Sequence, residues 1–123
     1  MRFTARQGRI CLQLRVCRQG GDLQVLLGGG TAHLGAVALA YAPASGAQAQ
    51  GRLLVLPGHR EDVLALRTAT ALADGLGCAV CVSAGIHYPA ITREEIAVVE
   101  ALADVLTQRC LMALRKQTSD PEA

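Results

Sequence analysis

Residues 80–96 leave this chain few ways to fold. Val80-Cys81-Val82-Ser83-Ala84 is a run of β-branched and small residues, the pattern of a strand covered on both faces. Thr92-Arg93-Glu94-Glu95 is a capping box. Thr92 can accept from the backbone N–H of Glu95, and Glu95 can reach back to Thr92. Between strand and helix sits Ala84-Gly85-Ile86-His87-Tyr88-Pro89. A loop at the carboxyl end of a buried strand is where open α/β sheets usually place ligands.

The segments upstream supply the rest of a sheet. Residues 8–18 alternate: Ile10, Leu12, Leu14 and Val16 face one way, Cys11, Gln13, Arg15 and Cys17 the other. Gln19-Gly20-Gly21-Asp22 signals a hairpin turn, and a second strand follows at residues 23–27. Gly28-Gly29-Gly30-Thr31-Ala32-His33-Leu34 reads as a loop with uncovered backbone N–H groups. A third strand spans 35–41 and a fourth 52–56. Pro57-Gly58 stops the fourth, and His59-Arg60-Glu61-Asp62 opens a helix with acids in its first turn. Val63, Leu66, Thr70 and Ala73 mark its core stripe, widened by Leu64, Leu72 and Leu76. The fifth strand is 78–83, and the last helix runs from about 93 to about 116. Ile96, Val99, Leu102, Leu106 and Ala113 lie on one of its faces. Val98, Val105 and Met112 form a second stripe, which either broadens the core or meets a partner subunit.

The expected architecture is α+β in two layers. A mixed five-stranded sheet, in the order β-β-β-β-α-β-α, carries two helices on one face. The first three strands form an antiparallel meander, and the fourth and fifth a parallel crossover unit. A single domain spans 1–123, with 1–7 and 117–123 as flexible ends.

Composition narrows the function classes. A net charge of +2 with no Trp, one Phe and two Tyr argues against nucleic acid. No apolar run approaches the ~20 residues of a membrane helix, and no signal peptide is visible. A cytoplasmic chain is therefore expected, with its five cysteines as reduced thiols, an odd count that fits a disulfide framework poorly. Hydrophobic residues make up 51% and charged residues only 18%, which points to a homo-oligomer hiding an apolar face.

All three histidines stand beside glycine at strand ends: His33 after Gly30, His59 after Gly58, His87 after Gly85. The expected strand directions bring them to one rim with both helix N-termini. Glycine N–H groups and helix N-termini suit a phosphate. Three imidazoles suit proton transfer, or zinc with an open position. Each histidine bonding locally is the plain alternative. Cys78-Ala79-Val80-Cys81 lies in a strand, where residues three apart face opposite sides, so buried thiols are the simpler reading. Gly28-Gly29-Gly30 lacks the Gly-Lys-Ser/Thr of a P-loop.

Three of these segments carry a resemblance. Gly28–Val37, then Pro57-Gly58-His59-Arg60-Glu61-Asp62-Val63, then Ala84-Gly85-Ile86-His87 with Thr92–Ile96, resemble the LpdD-like family over roughly residues 8–115. Its members are described as prenylated-flavin chaperones, the small D subunits accompanying UbiD-type hydroxyarene decarboxylases such as gallate decarboxylase. The resemblance implies a non-catalytic role: binding prenylated FMN or FMN, or delivering it to a decarboxylase catalytic subunit. The residues expected to meet the cofactor are Gly29, Gly30, His33, His59, Arg60, Gly85, His87 and Tyr88, with Tyr41 as a second aromatic. The rival readings are a small enzyme with zinc on His33, His59 and His87, using Glu61 or Asp62 as base, and a structural subunit that stabilises a decarboxylase.

Overall fold

The computed structural model describes residues 1–58 and 61–118. Two candidate site residues, His59 and Arg60, lie outside the described residues, as do 119–123. The strands are β1 (Arg2–Gln7), β2 (Ile10–Gln19), β3 (Asp22–Gly30), β4 (Ala36–Tyr41), β5 (Gln50–Val55) and β6 (Val80–His87). The helices are α1 (Asp62–Leu76) and α2 (Arg93–Thr118). They form one mixed six-stranded sheet, order β1-β2-β3-β6-β4-β5, with α2 packed on β1 and β2 and α1 on β4, β5 and β6.

The α+β class and the two helices are as expected; the strand count and order are not. The extra strand is Arg2–Gln7, read above as a loose end. It pairs antiparallel with β2, setting Phe3 opposite Leu14 and Ala5 opposite Leu12 on the helix side. The meander also fails after β3, because β6 inserts between β3 and β4, parallel to the first and antiparallel to the second. β5 and β6 do run in the same direction, but β4 lies between them. A strand buried on both faces belongs in the middle of a sheet, which the composition of β6 suits.

The core lies between sheet and helices. Leu12, Leu14, Val25, Leu27, Ala38, Val80 and Val82 meet Ala65, Ala69 and Leu72 of α1 and Leu106 and Cys110 of α2. The small residues of α1 let it sit close to β4 and β6. Its buried face is Leu64, Ala65, Thr68, Ala69, Leu72 and Ala73, so Val63, expected in the core stripe, is exposed instead. In α2, Val99, Leu102, Leu106, Cys110 and Leu114 are buried, while Ile96, Val105 and Met112 are exposed. The α2 cap forms as expected: Glu95 N–H donates to Thr92 Oγ1 and Thr92 N–H to Glu95 Oε1, both at 3.1 Å. The glycine triplet ends β3 and is paired on both sides, Gly28 with Gln13 and Gly85, Gly29 with Leu12 and Ile86. Its N–H groups therefore belong to a strand ladder and not to an open loop.

Candidate functional site

The insertion of β6 forces the chain to cross it. Residues 31–35 leave β3, pass over the outer side of β6 and enter β4. Thr31 N–H donates to the His87 carbonyl at 3.0 Å, and Gly35 N–H to the Ala84 carbonyl at 2.9 Å. Two glycines make this strap possible. Gly30 turns out of β3 at φ 67°, a left-handed backbone that favours glycine. Gly85 has the His33 carbonyl pressed where a Cβ would be.

The strap is locked by a histidine–carboxylate pair. His33 Nε2 stands 2.8 Å from Glu61 Oε1, and His33 Nδ1 lies 3.0 Å from the Thr31 carbonyl. Both ring nitrogens thus face acceptors, so both donate when the ring is an imidazolium. The Thr31 carbonyl, with Glu61 adding to it, raises the His33 pKa above its ordinary value. Glu61 is buried at the N-cap position of α1, and its side chain turns away from the helix to accept from His33 and from Ile86 N–H at 3.2 Å. Any Cβ at residue 35 would occupy the place of this carboxylate, which is why glycine stands there.

Tyr88 closes the other flank. Its hydroxyl donates to the Cys11 carbonyl and accepts from the Cys11 N–H, each at 2.8 Å. Arg9 lies over its ring, 5.7 Å from the centroid, and donates to Glu95 at 2.6 and 2.9 Å and to the Pro89 carbonyl at 2.8 Å. The Arg9 guanidinium holds the Glu95 carboxyl down at about 2.

Between strap and Tyr88 the outer face of the sheet dips into an open groove of about 680 Å³. That is the size range of small-molecule sites, ~300–1,000 Å³. Gly28, Gly29, Gly30 and Gly85 line it without side chains, giving a flat peptide surface. Cys11, Gln13 and Arg15 from β2, Ser83 from β6, and Leu26 and Leu34 complete it. The groove therefore offers a flat floor, apolar flanks, two neutral polar groups, the Arg15 guanidinium and the edge of the His33 ring. Such a site suits a planar molecule that carries an anion.

Of the expected site residues, Gly29, Gly30, His33, Gly85 and Tyr88 line this groove. His87 stands beside it, its ring edge-on to that of His33 with centroids 6.2 Å apart. The rim of histidines thus forms for the two that are described. Tyr41 ends β4 at the opposite edge of the sheet, away from the groove. Among the described residues no group of three His, Cys, Asp or Glu side chains is placed to hold a metal, and both His33 nitrogens have other partners. Arg15 and Gln13 are not among the residues that the sequence points to for the cofactor. Their signal was the polar half of the β2 alternation, which marks the outer face.

Residues 6–115 match the family model of the prenylated flavin chaperone LpdD-like domain. Among solved structures, the chain is similar to a subunit in a crystal structure of a chaperone complex for yeast 20S proteasome assembly. The TM-score is 0.61 with 12% sequence identity, covering 94% of each chain, a likeness of fold alone. No curated protein matches the sequence. Among the described residues no helix is long and apolar enough to cross a membrane.

Proposed function

The chain belongs to the prenylated flavin chaperone LpdD-like family, and from that premise we propose that it holds prenylated FMN in the outer-face groove and hands it to a UbiD-type decarboxylase. The observation that carries this reading is the pairing of a glycine floor with Arg15 in one groove of cofactor size. The floor at Gly28, flanked by Leu26 and Leu34, would hold the ring system, and the Arg15 guanidinium would hold the phosphate through charge-assisted bonds. His33, its pKa raised and its ring fixed in place by Glu61, presents a ring edge to the same groove. No covalent step is assigned to the protein; its residues bind, orient and shelter. An open groove suits a carrier, because the ligand must leave again. A homo-oligomer is not needed for this role.

The test is a fluorescence titration of the purified chain with reduced prenylated FMN, with FMN, and with the dephosphorylated flavin. Wild type should bind the prenylated form saturably. Arg15→Gln should weaken that binding about tenfold, the value of one charge-assisted hydrogen bond, and should leave the dephosphorylated flavin unaffected. Absence of saturable binding in a folded protein, or binding indifferent to Arg15→Gln, would refute the assignment. In that case a chain that still raised decarboxylase activity would be a structural stabiliser of the enzyme.

A further inference from the structure

The side of the sheet away from the helices is uncovered, and its composition says what covers it. Leu26, Val37, Leu39, Tyr41 and Leu54 project there from β3, β4 and β5. Leu39 is 52% exposed and Leu54 79%. Patches of this kind on a sheet mark interaction surfaces. Around the leucines stand arginines: Arg2 and Arg6 on β1, Arg15 on β2 and Arg52 on β5, all exposed, none in an ion pair among the described residues. Asp22 is the one described acid that the register puts on this side, at the lower edge, where it accepts from Ala79 N–H at 2.9 Å. Every other described acid belongs to α1, its N-cap or α2.

We infer that the open sheet face docks a protein surface with an apolar centre and an acidic rim. A second copy of the chain fits poorly. Strands run in the order β1-β2-β3-β6-β4-β5, so arginines lie toward both edges. A two-fold axis in the plane between two such sheets sets β1 over β1 or β1 over β5, arginine against arginine in either case. A lipid surface fits poorly too, since among the described residues Tyr41 is the single well-exposed aromatic on this face. Arginine, with its planar fork, matches carboxylates on a protein partner. The groove opens on the same face, so the docked partner lies over it, and a ligand crosses without passing through bulk water. That last step, and the choice of the decarboxylase as partner, rests on the flavin reading above; the docking surface does not.

The experiment measures binding of the full-length chain to the apo-decarboxylase at about 50 and about 300 mM NaCl. It compares wild type, Arg6→Glu/Arg52→Glu, Leu39→Asp, and Val105→Asp on the exposed side of α2 as control. Prenylated FMN binding is titrated in parallel. The expected result is salt-weakened binding by wild type and Val105→Asp, about tenfold weaker binding by both face variants, and unchanged flavin affinity. Equal partner binding in all variants overturns the docking surface and leaves the flavin reading intact; no binding by a wild type that still takes flavin overturns the docking surface and the hand-off, and leaves only flavin holding in the groove. A wild-type dimer in sedimentation that Leu39→Asp dissolves gives the face to a second copy and overturns it as well. So does capture by phosphatidylserine vesicles that the face variants lose while protein binding persists. Loss of partner binding in the face variants of a chain that takes no flavin upholds the docking surface and removes the flavin reading.

Discussion

Gly85→Ala tests the strap that builds the groove. The new methyl group would overlap the His33 carbonyl, a backbone atom that cannot swing aside, so the segment 31–35 must lift from β6. Lifting removes the His33–Glu61 bond at 2.8 Å and the Gly35–Ala84 bond at 2.9 Å, and strains the Thr31–His87 bond at 3.0 Å. A bond to a charged group contributes about 1.5–3 kcal/mol and a neutral backbone bond about 1 kcal/mol. The lower end applies to His33, whose side chain is 21% exposed. The loss is then about 3 kcal/mol, a large share of the ~5–15 kcal/mol that holds a domain of this size. Melting should fall by about 10 °C. The control is Gly28→Ala, the paired residue on the next strand. Its Cβ would lie 3.8 Å from the Gly85 carbonyl, an ordinary contact. Gly28→Ala should keep or gain up to about 1 kcal/mol of stability while weakening flavin binding several-fold, because its methyl stands on the groove floor. Thermal and urea denaturation decide the matter. A Gly85→Ala protein within about 1 kcal/mol of wild type, or a Gly28→Ala protein as damaged as Gly85→Ala, would show that the strap does not rest on Gly85 as described.

Two further outcomes follow from the same region. His33 has a raised folded-state pKa, so its pairing stabilises fully below its unfolded value of about 6.5 and fades as pH rises through the folded value. The melting advantage of wild type over His33→Ala should therefore shrink from mildly acidic to alkaline pH; an advantage that grows with pH would contradict the imidazolium assignment. Tyr88→Phe leaves both backbone groups of Cys11 without their 2.8 Å partner and should cost about 1–3 kcal/mol in urea unfolding. A midpoint equal to that of wild type would mean that water replaces the hydroxyl without loss.

Local chemistry was legible in the sequence. The Thr92–Glu95 box spans four residues and forms as read, and the alternation of β2 assigns its two faces correctly. β1 was missed because Arg2-Phe3-Thr4-Ala5-Arg6 offers only Phe3 and Ala5 as inward residues; β2 and α2 supply the rest of its apolar surroundings. Strand order was missed for a different reason. Which strands accept β6 depends on pairings between residues far apart in sequence, such as Gly28 with Gly85 and Ala36 with Ala84, and no local pattern encodes them. His33 and His87 still meet despite that error, since strand direction alone decides which ends share an edge. The sequence offers the Glu61 carboxylate as a helix-end charge or as a base, and not as a partner of His33. Its role as anchor for His33 depends on the strap, which exists only because β6 lies between β3 and β4.

The central position of β6 also orders the events of folding. β1, β2 and β3 pair as neighbours in sequence, and β4 pairs with β5 across a short connection. Nothing in the sheet joins these two pieces until residues 80–87 arrive. Until then β3 and β4 each present an unpaired edge, the kind of surface on which chains aggregate. The last strand to emerge seals both edges at once and supplies the residues over which the strap lies. Contacts of such long range slow folding. They also make the groove a product of completed folding, so a nascent or half-folded chain has nowhere to put its ligand.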